Sequence, residues 1–206
     1  MKLRQKRILK TATVIISLVA IIIAARFWYL KEQGNFHPIT PGEAYRSAQL
    51  GGDKLAYYIR KFEIRSVINL RGENAGQPWY EEETETCRKL GVRHYDFGLS
   101  ACKAPSPRKV EELLRLFRVA PRPVLIHCRG GADRSGLAAA LWKVVIDGVP
   151  KSVAKRQLSI RYGHMPVGST QALDVFFDKW VSPTKVNVNT KKATGNLFNK
   201  KEYATD

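Results

Sequence analysis

The stretch from Pro123 to Gly136 constrains the fold of this chain more than any other part of the sequence. It begins with a short apolar run, Val124 to Ile126, of the kind that forms a buried strand. The chain then passes through a glycine-rich loop and enters residues 137–146, whose composition predicts a helix. A strand that leads through a tight loop into a helix N-terminus forms an anion-binding site, because backbone N–H groups and the helix dipole both point into the loop.

Two side chains of this loop can carry out chemistry on a bound anion. Cys128 precedes the helix N-terminus, where the thiolate form of a cysteine is stabilised and can act as a nucleophile. Arg134 follows after five residues, and its planar guanidinium matches two oxygens of a phosphate. Ser135 can donate its hydroxyl to the sulfur. We expect the rest of the loop to bind the anion or to allow the loop its backbone angles, namely Arg129, Gly130, Gly131, Ala132 and Gly136.

His127-Cys128, five residues, and Arg134-Ser135-Gly136 resemble the H-C-(x)5-R-[ST]-G loop of the cysteine-based protein tyrosine phosphatase superfamily. The chain is similar to its dual-specificity branch, in particular to small bacterial membrane-anchored members, over residues 45–49, 67–71 and 161–164. The resemblance implies an enzyme that hydrolyses phosphate monoesters through a cysteinyl-phosphate, with a phosphorylated protein as the default substrate. A phosphorylated lipid or inositol is the alternative substrate. A non-catalytic phosphate-binding module and a rhodanese-like sulfurtransferase, whose loop is usually shorter, are the competing classes.

Two residues are candidates for the general acid that protonates the leaving group. The superfamily usually carries an aspartate on a loop before the nucleophile, but the corresponding segment here, residues 100–106, contains no acid. Asp133 is the favoured candidate, as in relatives whose loop has an aspartate before the arginine, although it could instead orient loop amides or pair with an arginine. Asp96 is the alternative. No metal or other cofactor is expected, since the four histidines are scattered without ligand spacing.

The N-terminal segment of the chain predicts a membrane anchor. Residues 1–10 are basic and expected in the cytoplasm, and residues 11–30 are long and apolar enough to form a transmembrane helix. We expect a linker at 31–43, a phosphatase domain at 44–182 and a disordered tail at 183–206. In a bacterium this predicts a single-pass inner-membrane protein with its catalytic domain in the periplasm. A cleaved signal peptide is the rival interpretation of the apolar segment.

Composition adds expectations about fold and partners. Strands alternating with helices predict an α/β fold with a single central mixed, mostly parallel sheet of about four to five strands flanked by helices. The formal net charge of +17 favours anionic partners, here a phosphorylated substrate and an acidic membrane surface, and no nucleic-acid module is recognisable. One hypothesis for an oxidising compartment is a reversible disulfide between Cys102 and Cys128. The sequence leaves the oligomeric state open.

Overall fold

The computed structural model describes residues 2–182, so the expected tail at 183–206 lies outside the described residues. The chain starts with a long helix, α1 (Lys2–Glu32). Within the described part of the chain, α1 is the one helix long and apolar enough to cross a membrane, with a candidate span at Lys10–Leu30 of mean hydropathy 2.1. This finding rests on length and composition, and the membrane location stays a prediction.

The rest of the described chain is built on one five-stranded sheet in the order β1-β2-β5-β3-β4. Four strands are parallel, and β1 pairs antiparallel with β2 at one edge. The central strand β5 lies between β2 and β3, so the loop that follows it emerges between the carboxyl ends of both neighbours. This arrangement confirms the predicted mixed, mostly parallel α/β sheet. The strands are β1 (His37–Thr40), β2 (Ala44–Ser47), β3 (Ser66–Asn69), β4 (Arg93–Asp96) and β5 (Val124–His127).

Helices cover both faces of the sheet because side chains of successive strand residues point to opposite faces. In β5, Val124 and Ile126 belong to the core shared with α4, α5 and α7, whereas Leu125 belongs to the core shared with α2 and α3. Every residue of β5 is buried, as the continuous apolar run predicts. The helices are α2 (Gly52–Phe62), α3 (Pro78–Lys89), α4 (Pro107–Val119), α5 (Asp133–Val145), α6 (Lys151–Ala154) and α7 (Gln171–Lys179).

Two sequence-based expectations need correction. Residues 31–43 are not simply a linker, because His37–Thr40 forms β1 of the sheet. Pro38 is tolerated there since an edge strand does not need every backbone N–H. The sequence of residues 152–161 predicts one further helix, but the structure has the short α6 followed by 3-10 turns at Lys155–Gln157 and Ile160–Tyr162. The Gln157 carbonyl, which a continuous helix would use internally, accepts a 2.7 Å hydrogen bond from Arg46 Nη1.

Candidate active site

The loop between β5 and α5 takes its shape from backbone geometry that only glycine allows at one position. Gly131 has a φ of +68°, and a Cβ on this residue would lie 2.5 Å from Ala48 N and 2.7 Å from the Ser47 carbonyl carbon. Both the left-handed angle and the close approach to β2 exclude a side chain. At Gly130, by contrast, a Cβ would meet nothing within 4 Å. Gly131 is therefore the residue at which the backbone of the loop packs directly against the end of β2.

Arg46 of β2 supports the loop from inside the protein. Its side chain is fully buried, and Nη2 donates to the carbonyls of Gly131 and Ala132 at 2.9 Å each. Nη1 donates to both the carbonyl and the side chain of Gln157, and the guanidinium lies 4.3 Å from the Tyr162 ring centroid. Burial lowers the pKa of Arg46 to about 10. The carbonyls of Gly131 and Ala132 point to Arg46. The N–H groups of the same two peptide units therefore point to the opposite side of the loop.

Cys128 and Arg134 occupy the two ends of this loop. Cys128 is 2% exposed, and its Sγ lies 3.5 Å from Ser135 Oγ. Arg134 Nη1 donates to the Leu70 carbonyl at 3.4 Å. Its Nε is buried and has no hydrogen-bond partner within residues 2–182. A buried donor of a charged group that lacks a partner lowers the stability of the fold, because its lost hydration is not replaced. An anion bound in the loop would accept a hydrogen bond from it.

Three arginines surround the mouth of the loop. Arg71 follows β3, where Nη1 donates to Gln49 Oε1 at 3.0 Å and the guanidinium stacks 3.3 Å from the Trp79 ring centroid. Partial burial, and then the charges of Arg134 and Arg129, lower the pKa of Arg71. Arg129 is exposed, and its carbonyl accepts a hydrogen bond from the Gln49 backbone N–H. The arrangement can hold more than one anionic group.

The two candidate acids have different surroundings. Asp96 lies at the end of β4, and both of its oxygens accept hydrogen bonds, from Asn69 Nδ2 at 2.8 Å and from the Tyr80 hydroxyl at 2.5 Å. Asp133 begins α5, and its Oδ1 lies 2.7 Å from Nδ1 of the buried His164. These contacts give Asp96 a structural role, whereas Asp133 contacts His164 through one carboxyl oxygen and lies within the loop itself.

His127, the residue before Cys128, is held by a buried carboxylate. Glu83 Oε1 lies 3.1 Å from His127 Nε2 and 2.8 Å from His94 Nε2. Its Oε2 accepts a hydrogen bond from Gln49 Nε2 at 2.5 Å. Burial alone would raise the pKa of Glu83, but the charge of His127 and the hydrogen bonds from both histidines bring it well below the ordinary value. The charged carboxylate of Glu83 therefore connects α3 to the start of the loop.

The structure brings together the whole predicted set from Cys128 to Gly136, and it adds Arg46, Glu83 and Asn35, whose amide donates to the Gly130 carbonyl at 3.0 Å. The sequence signals of Arg46 and Glu83 are weak: an arginine inside a buried strand and an acid on a helix face. Cys102 is exposed and accepts a hydrogen bond from the Ser169 hydroxyl, and all three cysteines are free. Among the described residues, no cluster of three or more His, Cys, Asp or Glu could hold a metal ion.

Comparisons with known proteins agree with this geometry. A family model described as "PTP-NADK: DSP-PTPase phosphatase fused to NAD+ Kinase" matches residues 40–172. The chain is 30% identical over 107 residues to inositol diphosphatase DSP2 of Oryza sativa subsp. japonica, which is 50% of each chain. It is 25% identical over 126 residues to the dual specificity protein phosphatase TpbA of Pseudomonas aeruginosa, covering 60% of this chain and 53% of TpbA. The chain thus spans about half the length of these curated relatives.

Solved structures share the fold. The crystal structure of P. aeruginosa TpbA has a TM-score of 0.57 and 22% identity, covering 70% of this chain and 83% of TpbA. TpbA has also been crystallised in complex with pTyr. The core catalytic domain of the PP-IP phosphatase SIW14 from S. cerevisiae, in complex with citrate, has a TM-score of 0.56 and 20% identity, covering 70% of this chain and 86% of that one. At these identities the likeness concerns the architecture.

Proposed function

This chain belongs to the family described as DSP-PTPase phosphatase fused to NAD+ kinase, and we propose that it hydrolyses phosphate monoesters through a cysteinyl-phosphate intermediate. The observation that carries the proposal is the Arg134 Nε, a buried donor without a partner in the described chain, on the same loop as the Cys128 sulfur. The preferred substrate is a phosphotyrosine or another phosphorylated residue of a protein. The similarity to TpbA supports this choice.

The mechanism follows from the loop. Backbone N–H groups of residues 129–134 and the Arg134 guanidinium hold the phosphoryl oxygens, so charge is neutralised as it shifts in the transition state. The Cys128 thiolate attacks phosphorus, forming an S–P bond while the P–O bond to the leaving group breaks. The leaving oxygen takes a proton, which we assign to Asp133. Water then attacks phosphorus and gives up a proton to the Asp133 carboxylate while the S–P bond breaks. This step releases inorganic phosphate and restores the thiolate, with Ser135 Oγ placed to donate to the departing sulfur.

Hydrolysis of p-nitrophenyl phosphate and of phosphotyrosine peptides tests the proposal. We expect turnover by the wild-type chain, none by Cys128→Ser, and a kcat about 10²–10³-fold lower for Arg134→Lys, since one set of preorganised donors is lost. Cys102→Ser is the matched control because this cysteine is exposed, and it should retain wild-type turnover. Phosphate binding by a wild-type chain that turns nothing over would instead support a non-catalytic binding module.

A second candidate substrate is an inositol phosphate or a phosphorylated lipid headgroup. The specific observation in its favour is the group of three arginines, Arg71, Arg129 and Arg134, since a phosphotyrosine offers them only one phosphate. The similarity to an inositol diphosphatase supports the same choice. Comparing kcat/KM for phosphotyrosine peptides, an inositol polyphosphate and phosphatidylglycerophosphate separates the candidates.

We further propose that the chain is a single-pass inner-membrane protein with its catalytic domain on the extracytoplasmic side. The apolar span at Lys10–Leu30 supports an anchor. The basic residues that precede the span favour a cytoplasmic N-terminus. Protease treatment of spheroplasts would digest residues 44–182 only if the domain lies outside the cytoplasm, and protection from protease in intact spheroplasts would contradict this orientation.

A further inference from the structure

The end of α1 is joined directly to the phosphate-binding loop through Asn35. This residue is buried and has a φ of +48°, and its backbone N–H donates to the Leu30 carbonyl at 2.6 Å. Its side-chain Nδ2 donates to the carbonyl of Gly130 at 3.0 Å and to that of Tyr162 at 2.8 Å. One residue therefore connects three parts of the protein: its backbone N–H contacts the last residue of the apolar span, and its side chain contacts the loop and the segment around Tyr162.

The junction between helix and domain is packed rather than extended. Leu30 is buried, and the Tyr58 hydroxyl of α2 donates to the Gln33 carbonyl at 3.0 Å. Lys54 Nζ donates to the Glu32 carbonyl. These contacts fix the catalytic domain at the end of α1, so the side of the domain that faces the bilayer is set by the fold.

The segment that Asn35 holds in place carries exposed apolar side chains. Ile160 is 69% exposed, Met165 is 47% exposed and Val167 is 66% exposed. Between them, the Tyr162 ring and the His164 ring are buried against the site, so the apolar side chains point outward from a fixed backbone. Arg161 in the same segment is exposed. We refer to residues 160–167 as the 160–167 edge.

We propose that the 160–167 edge rests on the lipid surface beside the end of α1. The proposal rests on the membrane anchoring proposed above. The backbone of Asn35 contacts the last residue of the span, and its side chain contacts Tyr162, so the edge starts at the level where the hydrocarbon ends. Apolar side chains at that level gain by entering the interface, and a nearby arginine favours anionic headgroups. The phosphate-binding loop then opens at headgroup level.

The test places an environment-sensitive fluorophore on the full-length chain in vesicles of phosphatidylcholine and phosphatidylglycerol. The background is Cys102→Ser with Cys128→Ser. Cys87 can stay, since burial raises the pKa of its thiol and leaves it unreactive. The label is attached at Val167→Cys. The matched control is Val119→Cys, which is 62% exposed at the end of α4, near the amino end of β5 and so away from the loop.

We expect the emission of the label at position 167 to shift to shorter wavelength and to be quenched by spin-labelled lipids, with neither change at position 119. A chain that floats with the vesicles while both labels stay in water would overturn the proposal and leave the anchor intact. Equal quenching at both positions would also overturn it. A chain that does not float with the vesicles would contradict the anchoring itself, which is a separate failure.

Discussion

Gly131 is the residue at which the loop tolerates the least change. We expect Gly131→Ala to lower kcat/KM for p-nitrophenyl phosphate by about 10²-fold or more, because the added Cβ must displace the loop from Ala48 and misplace the donors. The strained backbone angle should cost about 1–3 kcal/mol in the free energy of unfolding. Steady-state kinetics and thermal unfolding measure the two effects.

Gly130→Ala is the matched control for this change. It adds the same methyl group one residue earlier, where there is nothing within 4 Å. We expect its kcat/KM and stability to stay close to those of the wild-type chain. If the two variants lost activity to the same degree, contact with β2 would not be what shapes the loop.

Asp133 and Asp96 are distinguished by the pH dependence of turnover. If Asp133 is the general acid, Asp133→Asn removes the basic limb of the pH–rate profile, because protonation of the leaving group no longer depends on a titrating group. Asp96→Asn should keep that limb, since its two oxygens are already engaged by Asn69 and Tyr80. The profile is measured with p-nitrophenyl phosphate. Loss of the limb in Asp96→Asn alone would reverse the assignment.

At the scale of elements, His164 connects the loop between β5 and α5 to α7. Its Nδ1 lies 2.7 Å from Asp133 Oδ1 and its Nε2 lies 2.9 Å from Asp174 Oδ2. The hydrogen bond with Asp133, followed in effect by that with Asp174, raises the pKa of His164 despite burial. Because the pKa is raised in the folded state, the protonated ring stabilises the fold fully at pH values below the ordinary histidine pKa. That contribution is lost as the pH rises through the raised value.

We therefore expect His164→Gln to destabilise the protein more at about pH 5.5 than at about pH 9, since glutamine cannot carry the charge that faces two carboxylates. The free energy of unfolding of both proteins at the two pH values measures the difference. A loss of stability that is the same at both pH values would show that the charge on His164 contributes nothing to linking α7 and the loop.

The elements that the sequence predicts well are those whose signals are local. The apolar run before Cys128 and the Ser106-Pro107 pair identify β5 and the start of α4, where Ser106 Oγ accepts a hydrogen bond from the Lys109 backbone N–H at 3.2 Å. The elements that it misses depend on distant partners. Strand β1 exists because β2 offers it an edge, and the helix expected after residue 152 stops where Arg46 takes the carbonyl of Gln157.

The residues of the site also divide into those with a local sequence signal and those that depend on distant partners. Cys128, Arg134 and the residues between them form a contiguous motif, so their spacing alone reveals them. Arg46 is 85 residues from the Gly131 carbonyl that it supports, and Asn35 is 95 residues from Gly130. An arginine near a predicted strand end is ordinarily solvated, whereas the side chain of Arg46 is fully buried. Periodicity cannot reveal such pairs because it reports only on neighbours along the chain.

At the scale of the whole molecule, a net charge of +17 and three arginines at one loop should make turnover of polyanions sensitive to salt. Raising ionic strength from about 0.05 M to about 0.5 M should lower kcat/KM for an inositol polyphosphate by about tenfold or more, because screening removes the attraction. The decrease for p-nitrophenyl phosphate should be smaller.

Two variants with the same change in net charge separate the arginines at the loop from the overall charge. Arg71→Gln should reduce the salt dependence of kcat/KM for the polyphosphate. Arg65→Gln, at an exposed residue before β3, should not. Equal slopes for both variants would attribute the effect to overall charge rather than to the arginines at the loop.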